Sequence, residues 1–238
     1  MFLYLHWWSY IIIVPGILLA LYAQTKVNTT FNRYSKVISK SNWTASDMAR
    51  MMLERNSCPV TVQRISGNLT DNYNPQTGIL SLSQSTYNNN SISALGVAAH
   101  EVGHAVQHEQ GYIPLKLRSI LVPVVNIGSY LALPLVIIGV ILEYALATTT
   151  VGGTVISIGI ICYSLATVFC LITLPVELNA SRRAKQMLYE TGVLDEDEVK
   201  QAGKVLNAAA LTYVASLAVS LLYLLRFLLI VSQFRRRD

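Results

Sequence analysis

Four apolar stretches, 2–23, 121–147, 151–176 and 208–231, constrain this chain more than anything else in it. Each is long enough to cross a bilayer, because about 20 helical residues span a hydrocarbon core of about 30 Å. A helix is also the form that pairs every backbone N–H and C=O internally, as lipid demands. The first stretch is broken only by His6 and Ser9. It has no basic leader and no small-x-small cleavage site, so it reads as a retained anchor and not a signal peptide. The second and third are joined by the uncharged Thr148-Thr149-Thr150, and the fourth carries Arg226, whose long stem can snorkel to an interface.

The rest of the chain is small and polar. Of 238 residues 53% are hydrophobic and only 13% charged, which fits an integral membrane protein with one modest polar domain. The expected fold class is an α-helical membrane protein with about four transmembrane helices and a small α+β domain. Its parts are a polar α+β domain at 24–118, a helical segment at 177–207 and a basic tail at 232–238. The net charge of +5 comes from Lys and Arg flanking the spans, so the lipid bilayer is the expected partner and nucleic acid is not. Three cysteines make no disulfide framework, since Cys162 and Cys170 lie in an apolar run and Cys58 stands alone.

Basic residues sort the loops. Lys26, Arg33, Lys36 and Lys40 follow the first span, Lys116 and Arg118 precede the second, and Arg182, Arg183, Lys185, Lys200 and Lys204 lie between the third and fourth. The positive-inside rule then puts both large polar segments in the cytoplasm of a multi-pass cell-membrane protein. The tail Arg235-Arg236-Arg237 opposes this: either the fourth segment does not cross fully or the other loops outvote the tail. On this topology the Asn-x-Ser/Thr triplets at Asn28, Asn42, Asn68 and Asn89 face no secretory lumen.

Within 24–118 the pattern predicts a helix capped by Thr44 or Ser46, with Met48, Met51, Met52 and Leu53 as its apolar residues. A short strand at 58–62, a turn at 72–78 and a second strand at 79–83 follow. A second helix, at about 91–110, lies between the cap cluster Asn88-Asn89-Asn90-Ser91 and the stop signal of Gly111 and Pro114.

That helix carries His100-Glu101-Val102-Gly103-His104, an H-E-x-x-H run. Residues four apart share a helix face, so His100 and His104 can converge on one Zn²⁺, one per chain. Glu101 sits beside the first ligand, close enough to take a proton from the attacking water without binding the metal. His108 continues the four-residue spacing but lies about 12 Å from His100 along the axis, too far to share an ion with Zn–N bonds of about 2 Å. It reads as a rim residue. Intramembrane cleavage is a rival class, but the apolar run around the motif is too short to cross.

A catalytic zinc needs three protein ligands and an open position. No useful fourth histidine remains, so the third ligand is expected to be a carboxylate on the same membrane side. Glu177 fits, because two spans, an even number, separate it from the motif. A carboxylate at the end of an apolar span is costly unless paired or metal-bound. The other reading of Glu177 is an interfacial carboxylate paired with Arg182 or Arg183. Glu143 is the rival intramembrane acid, expected on the opposite side.

The run 98–107 around the motif, together with Pro175-Val176-Glu177-Leu178-Asn179-Ala180-Ser181-Arg182-Arg183-Ala184, resembles the bacterial neutral zinc metallopeptidase family of membrane proteins. Residues 72–87 and 209–214 resemble it too, so the likeness covers nearly the whole chain. The layout is also similar to the heat-shock membrane metalloproteases and the prenyl-protein CAAX proteases, where a membrane hairpin separates the zinc helix from the glutamate helix. Those proteins usually carry an aspartate four residues after the ligand glutamate, holding a zinc histidine; this chain has Ser181 there and Asn179 nearer.

The resemblance implies that the α+β domain is a zincin-like catalytic domain, hydrolysing peptide bonds in membrane-associated protein or peptide substrates with Glu101 as general base. Tyr213 is the candidate donor to the oxyanion, although a tyrosine at the start of a span also serves as an interfacial anchor. The strand Ile79, Leu80, Ser81, Leu82 and Ser83 is expected to be an edge strand able to pair with an extended substrate. The contrasting reading is a membrane scaffold or transporter-like protein with a structural metal site, for which Glu101 would have no use.

Overall fold

The computed structural model describes residues 9–146 and 149–235. The start of the first span with His6, the end of the second with Thr148, and Arg236 and Arg237 of the tail lie outside the described residues. Four helices are long and apolar enough to cross a membrane: α1 (Ser9–Tyr34), α4 (Ile113–Leu146), α5 (Thr149–Glu190) and α6 (Glu196–Arg235). Between α1 and α4 lie α2 (Ala45–Arg55), β1 (Thr61–Ile65), β2 (Asn72–Asn74), β3 (Ile79–Ser83) and α3 (Ile92–Glu109). Contacts divide the chain into an apolar unit (1–21, 117–174 and 213–238) and a polar unit (22–116 and 175–212).

The apolar unit is packed through small residues. A Cβ built on Gly159 would lie 3.0 Å from the carbonyl of Ala132, and one on Gly139 would lie 2.8 Å from that of Gly152, so α4 and α5 meet backbone to backbone. Lipid offers no hydrophobic drive between helices, and close approach through glycine replaces it with van der Waals contact. Thr167 and Ser220 share a buried hydrogen bond of 2.7 Å between α5 and α6. The large side chains Ile158, Ile161, Val168 and Leu171 stay exposed on α5, where a bilayer would cover them.

The polar unit has its own core. Thr44 caps α2 by accepting from the Asp47 N–H, and Met48, Met52 and Leu53 bury one face of that helix. Met48, Met52, Leu95 and Val102 share one core with Leu80 and Leu82 of β3. α3 starts at the Ser91 cap, whose hydroxyl accepts from the Ala94 N–H, and stops at Gly111, which adopts φ +67°. α5 likewise ends before Gly192, at the same φ. α6 begins two residues beyond Leu194 with a reciprocal cap: the Glu198 N–H donates to Asp195 and the Asp195 N–H donates to Glu198.

Two expectations need correction. The first strand begins at Thr61 and not at Cys58, because the Cys58 N–H closes α2 on the Leu53 carbonyl and the Val60 N–H turns back to the Cys58 carbonyl. More important for function, β3 is not an edge strand. The sheet order is β1-β3-β2, with β3 parallel to β1 from Thr61↔Ile79 to Ile65↔Ser83 and antiparallel to β2 from Asn72↔Ser81 to Asn74↔Ile79. The Leu/Ser alternation of 79–83 suggests one wet face, yet Leu80, Ser81, Leu82 and Ser83 are all buried. The serines find partners inside: Gln63 donates to Ser81, and Ser83 donates to Asp71.

Candidate metal centre

Capping fixes the phase of α3, and its phase puts His100 and His104 on one face a single turn apart. Their ring centroids lie 4.7 Å apart and the rings are nearly perpendicular, at 84°. The face is narrow because the residue between them is Gly103. A Cβ there would lie 2.7 Å from the carbonyl oxygen of Ala180, so α5 runs directly against α3 at this point. Ala180 is three residues beyond Glu177, and the close approach carries that carboxylate to the histidines.

Glu177 Oε2 lies 3.1 Å from His100 Nε2 and 3.5 Å from His104 Nε2. One donor atom from each residue falls within 4.8 Å of the others. The Glu177 side chain is 2% exposed and the two imidazoles 16% and 12%. Bonds of about 2.0–2.1 Å in a tetrahedral set put neighbouring donors about 3.3–3.4 Å apart. The two measured spacings bracket that value, and the donor chemistry of two imidazoles and a carboxylate suits zinc.

The far nitrogens of the rings are held as well. His104 Nδ1 faces Gln107 Oε1 at 3.0 Å, and His100 Nδ1 faces the Ser181 hydroxyl at 3.2 Å. Asn179 touches neither histidine through a bond of this kind; its Oδ1 accepts from Gln107 Nε2 at 2.9 Å and from Arg183 Nε at 2.8 Å. Ser181 and Asn179 thus occupy different positions relative to the rings. Burial pulls the His104 imidazole toward its neutral form, but its hydrogen bond to Glu177 and the nearby charge of Glu101 leave it raised above the ordinary histidine value.

Glu101 follows His100 on α3. Burial pushes its carboxyl up from the usual carboxylate range, and the charges of His104 and His100 oppose that push without cancelling it. A carboxylate raised in this way is a better proton acceptor at neutral pH than an exposed one.

His108 lies on the exposed end of α3, with Nδ1 3.0 Å from the Tyr73 hydroxyl of β2. It is outside the group of converging donors. Arg183 Nη1 donates to Gln110 and its Nε to Asn179. Tyr213 falls in the apolar unit, at the first residue of its last segment. Gln107 is the residue that sequence reasoning passed over; its position three residues after His104 was the available signal.

A helical chain with four helices able to cross a bilayer, and a largely buried His-His-Glu cluster suited to zinc, defines the class. Residues 9–232 match the family described as "Putative neutral zinc metallopeptidase", and this chain belongs to that family. It is 46% identical over 213 residues to the "Putative membrane protease YugP" of Bacillus subtilis (strain 168), across 89% of this chain and 91% of that protein. No solved structure matches it.

Proposed function

We propose that this protein is a zinc endopeptidase of the membrane, cleaving peptide bonds of membrane-associated proteins at the cytoplasmic face. The observation that carries this reading is the convergence of His100, His104 and Glu177 within 4.8 Å, on two helices, beside a half-buried Glu101. The two histidines and Glu177 would hold one Zn²⁺ per chain in a zincin-like α+β domain. Zinc bound there supplies Lewis acidity, lowering the pKa of a water toward about 7 and polarising the scissile carbonyl.

Glu101 takes the proton from the attacking water and delivers it to the leaving amine nitrogen. The Ser181 hydroxyl, 3.2 Å from His100 Nδ1, would steady that ring as a ligand. A purely structural metal site would have no use for an acid at position 101 with a raised carboxyl, which weighs against a scaffold.

The exposed apolar residues of α5 run through Leu171 to Leu178, immediately after Glu177, and Arg182 and Gln186 then take over the exposed face. We read that change as the level where hydrocarbon gives way to water, and a site there favours substrates with a segment close to the bilayer. The basic loops around the polar unit favour the cytoplasmic side.

The test is proteolysis by the purified full chain in liposomes, with membrane proteins carrying a flexible cytoplasmic segment as substrates. Cleavage that stops with a chelator and returns with added zinc is the expected result. Cleavage indifferent to chelation, or a folded protein that binds no zinc, would contradict the proposal.

A further inference from the structure

Gln107 is fully buried, and its three hydrogen bonds determine which way its amide points. Nε2 donates to the Val176 carbonyl at 2.8 Å and to Asn179 Oδ1 at 2.9 Å. The Val176 carbonyl can only accept. Asn179 Oδ1 also receives Arg183 Nε at 2.8 Å, so it is an acceptor too. Flipping the amide would press its oxygen against two other oxygens, which leaves one orientation. Oε1 therefore faces His104 Nδ1, at 3.0 Å, and it can only accept. Nδ1 must then carry the hydrogen. In a neutral ring the bare nitrogen is Nε2, and Nε2 is the atom turned toward Glu177.

The geometry points to Gln107 as the positioning residue of the centre: it sets the tautomer and ring plane of His104 so that the Nε2 lone pair is aimed at the metal position. The inference rests on the zinc reading above. One side chain ties a ligand ring on α3 to the backbone of Val176, the residue before the ligand Glu177 on α5. Asn179 and Arg183 brace that side chain, and Arg183 reaches Gln110 near the exposed end of α3. His100 is held differently. Its partner, Ser181, can donate as readily as accept, so the hydroxyl does not fix the tautomer of His100 in the way the amide fixes that of His104.

Cobalt(II) in place of zinc makes the arrangement visible, because the ring N–H of each coordinated histidine gives a strongly shifted proton resonance. The intact wild-type protein loaded with cobalt should show such an N–H for His104, slow to exchange with water because Gln107 covers it. Gln107→Leu and the longer Gln107→Met remove the acceptor. Both should weaken zinc binding about 10–100-fold in competition with a chelator and make the His104 N–H exchange rapidly. Wild-type zinc affinity and a protected His104 N–H in either variant would overturn the inference. So would a wild-type spectrum without a protected His104 N–H, which needs no variant to fold. A wild-type protein that takes up neither metal would instead defeat the zinc reading, so the two failures are distinguishable.

Discussion

Gly103 of α3 and Ala180 of α5 meet so closely that a Cβ on the glycine would lie 2.7 Å from the alanine carbonyl oxygen. A backbone oxygen cannot swing aside as a side chain can. Gly103→Ala should therefore push the two helices apart, carrying Glu177 away from His100 and His104. Overpacking of this kind costs about 1–3 kcal/mol, and zinc affinity should fall with it. Gly96 lies on the same helix, but its Cβ would meet only Ala202 at 3.5 Å, an ordinary contact. Gly96→Ala should be neutral or stabilising by about 0.5–1 kcal/mol through helix propensity. Melting temperature and zinc affinity of the pair check the claim; equal behaviour of both variants would refute it.

His108 continues the spacing of the two ligand histidines without joining them. His108→Ala should leave bound zinc unchanged and remove only the contact to Tyr73. Zinc content by atomic spectroscopy decides this, and loss of the ion in that variant would mean the ligand set is wrong.

The segment before α2 is tied to the start of α6 by charge. Lys40 Nζ lies 2.6 Å from Asp195, and the Lys40 N–H donates to Glu198. The hydrogen bond to Lys40 holds the Asp195 carboxyl below its usual value and, reciprocally, raises Lys40. A lowered acid stabilises above its unfolded pKa and loses that contribution as pH falls through the folded value. A raised lysine stabilises below its unfolded pKa and loses that contribution as pH rises through the folded one. Asp195→Asn keeps an oxygen to accept from the Glu198 N–H but removes the charge. Its melting point should sit slightly below wild type near neutral pH, and the gap should close in acid and in strong alkali. The pair is exposed, so the gap should also shrink in high salt. A gap that persists in acid would assign the effect to the cap instead.

Sidedness is open to labelling. Cysteines placed at Thr77 and Glu190 should react with an impermeant reagent only from the cytoplasmic side, and one at Thr149 only from outside. Reaction of the Thr77 and Glu190 positions from opposite sides would mean that the hairpin of α4 and α5 does not return.

The parts of the chain legible in sequence are those set by local or one-dimensional rules. Helix periodicity puts His100 and His104 together, and counting spans brings Glu177 back to their side; the structure places the three within bonding reach of one ion. Hydropathy alone marks α1, α4, α5 and α6. Pairing order is different in kind. Nothing in Ile79–Ser83 says that β1 will sit on its other edge, because that depends on a parallel crossover through β2. Gln107 escaped for a related reason. A glutamine on a helix reads as a surface residue until its partners are known, and Val176 and Asn179 lie 69 and 72 positions further along the chain.

The division of labour between Glu101 and the three ligands is the central claim, and Glu101→Gln tests it most directly. Glutamine has nearly the same shape and cannot accept the proton, and it leaves His100, His104 and Glu177 untouched. Bound zinc and peptide-bond cleavage should be measured on the same purified sample. Zinc retained at the wild-type level, with turnover reduced at least about 10²-fold, is the predicted result. A Glu101→Gln protein that cleaves as the wild type does would contradict the account.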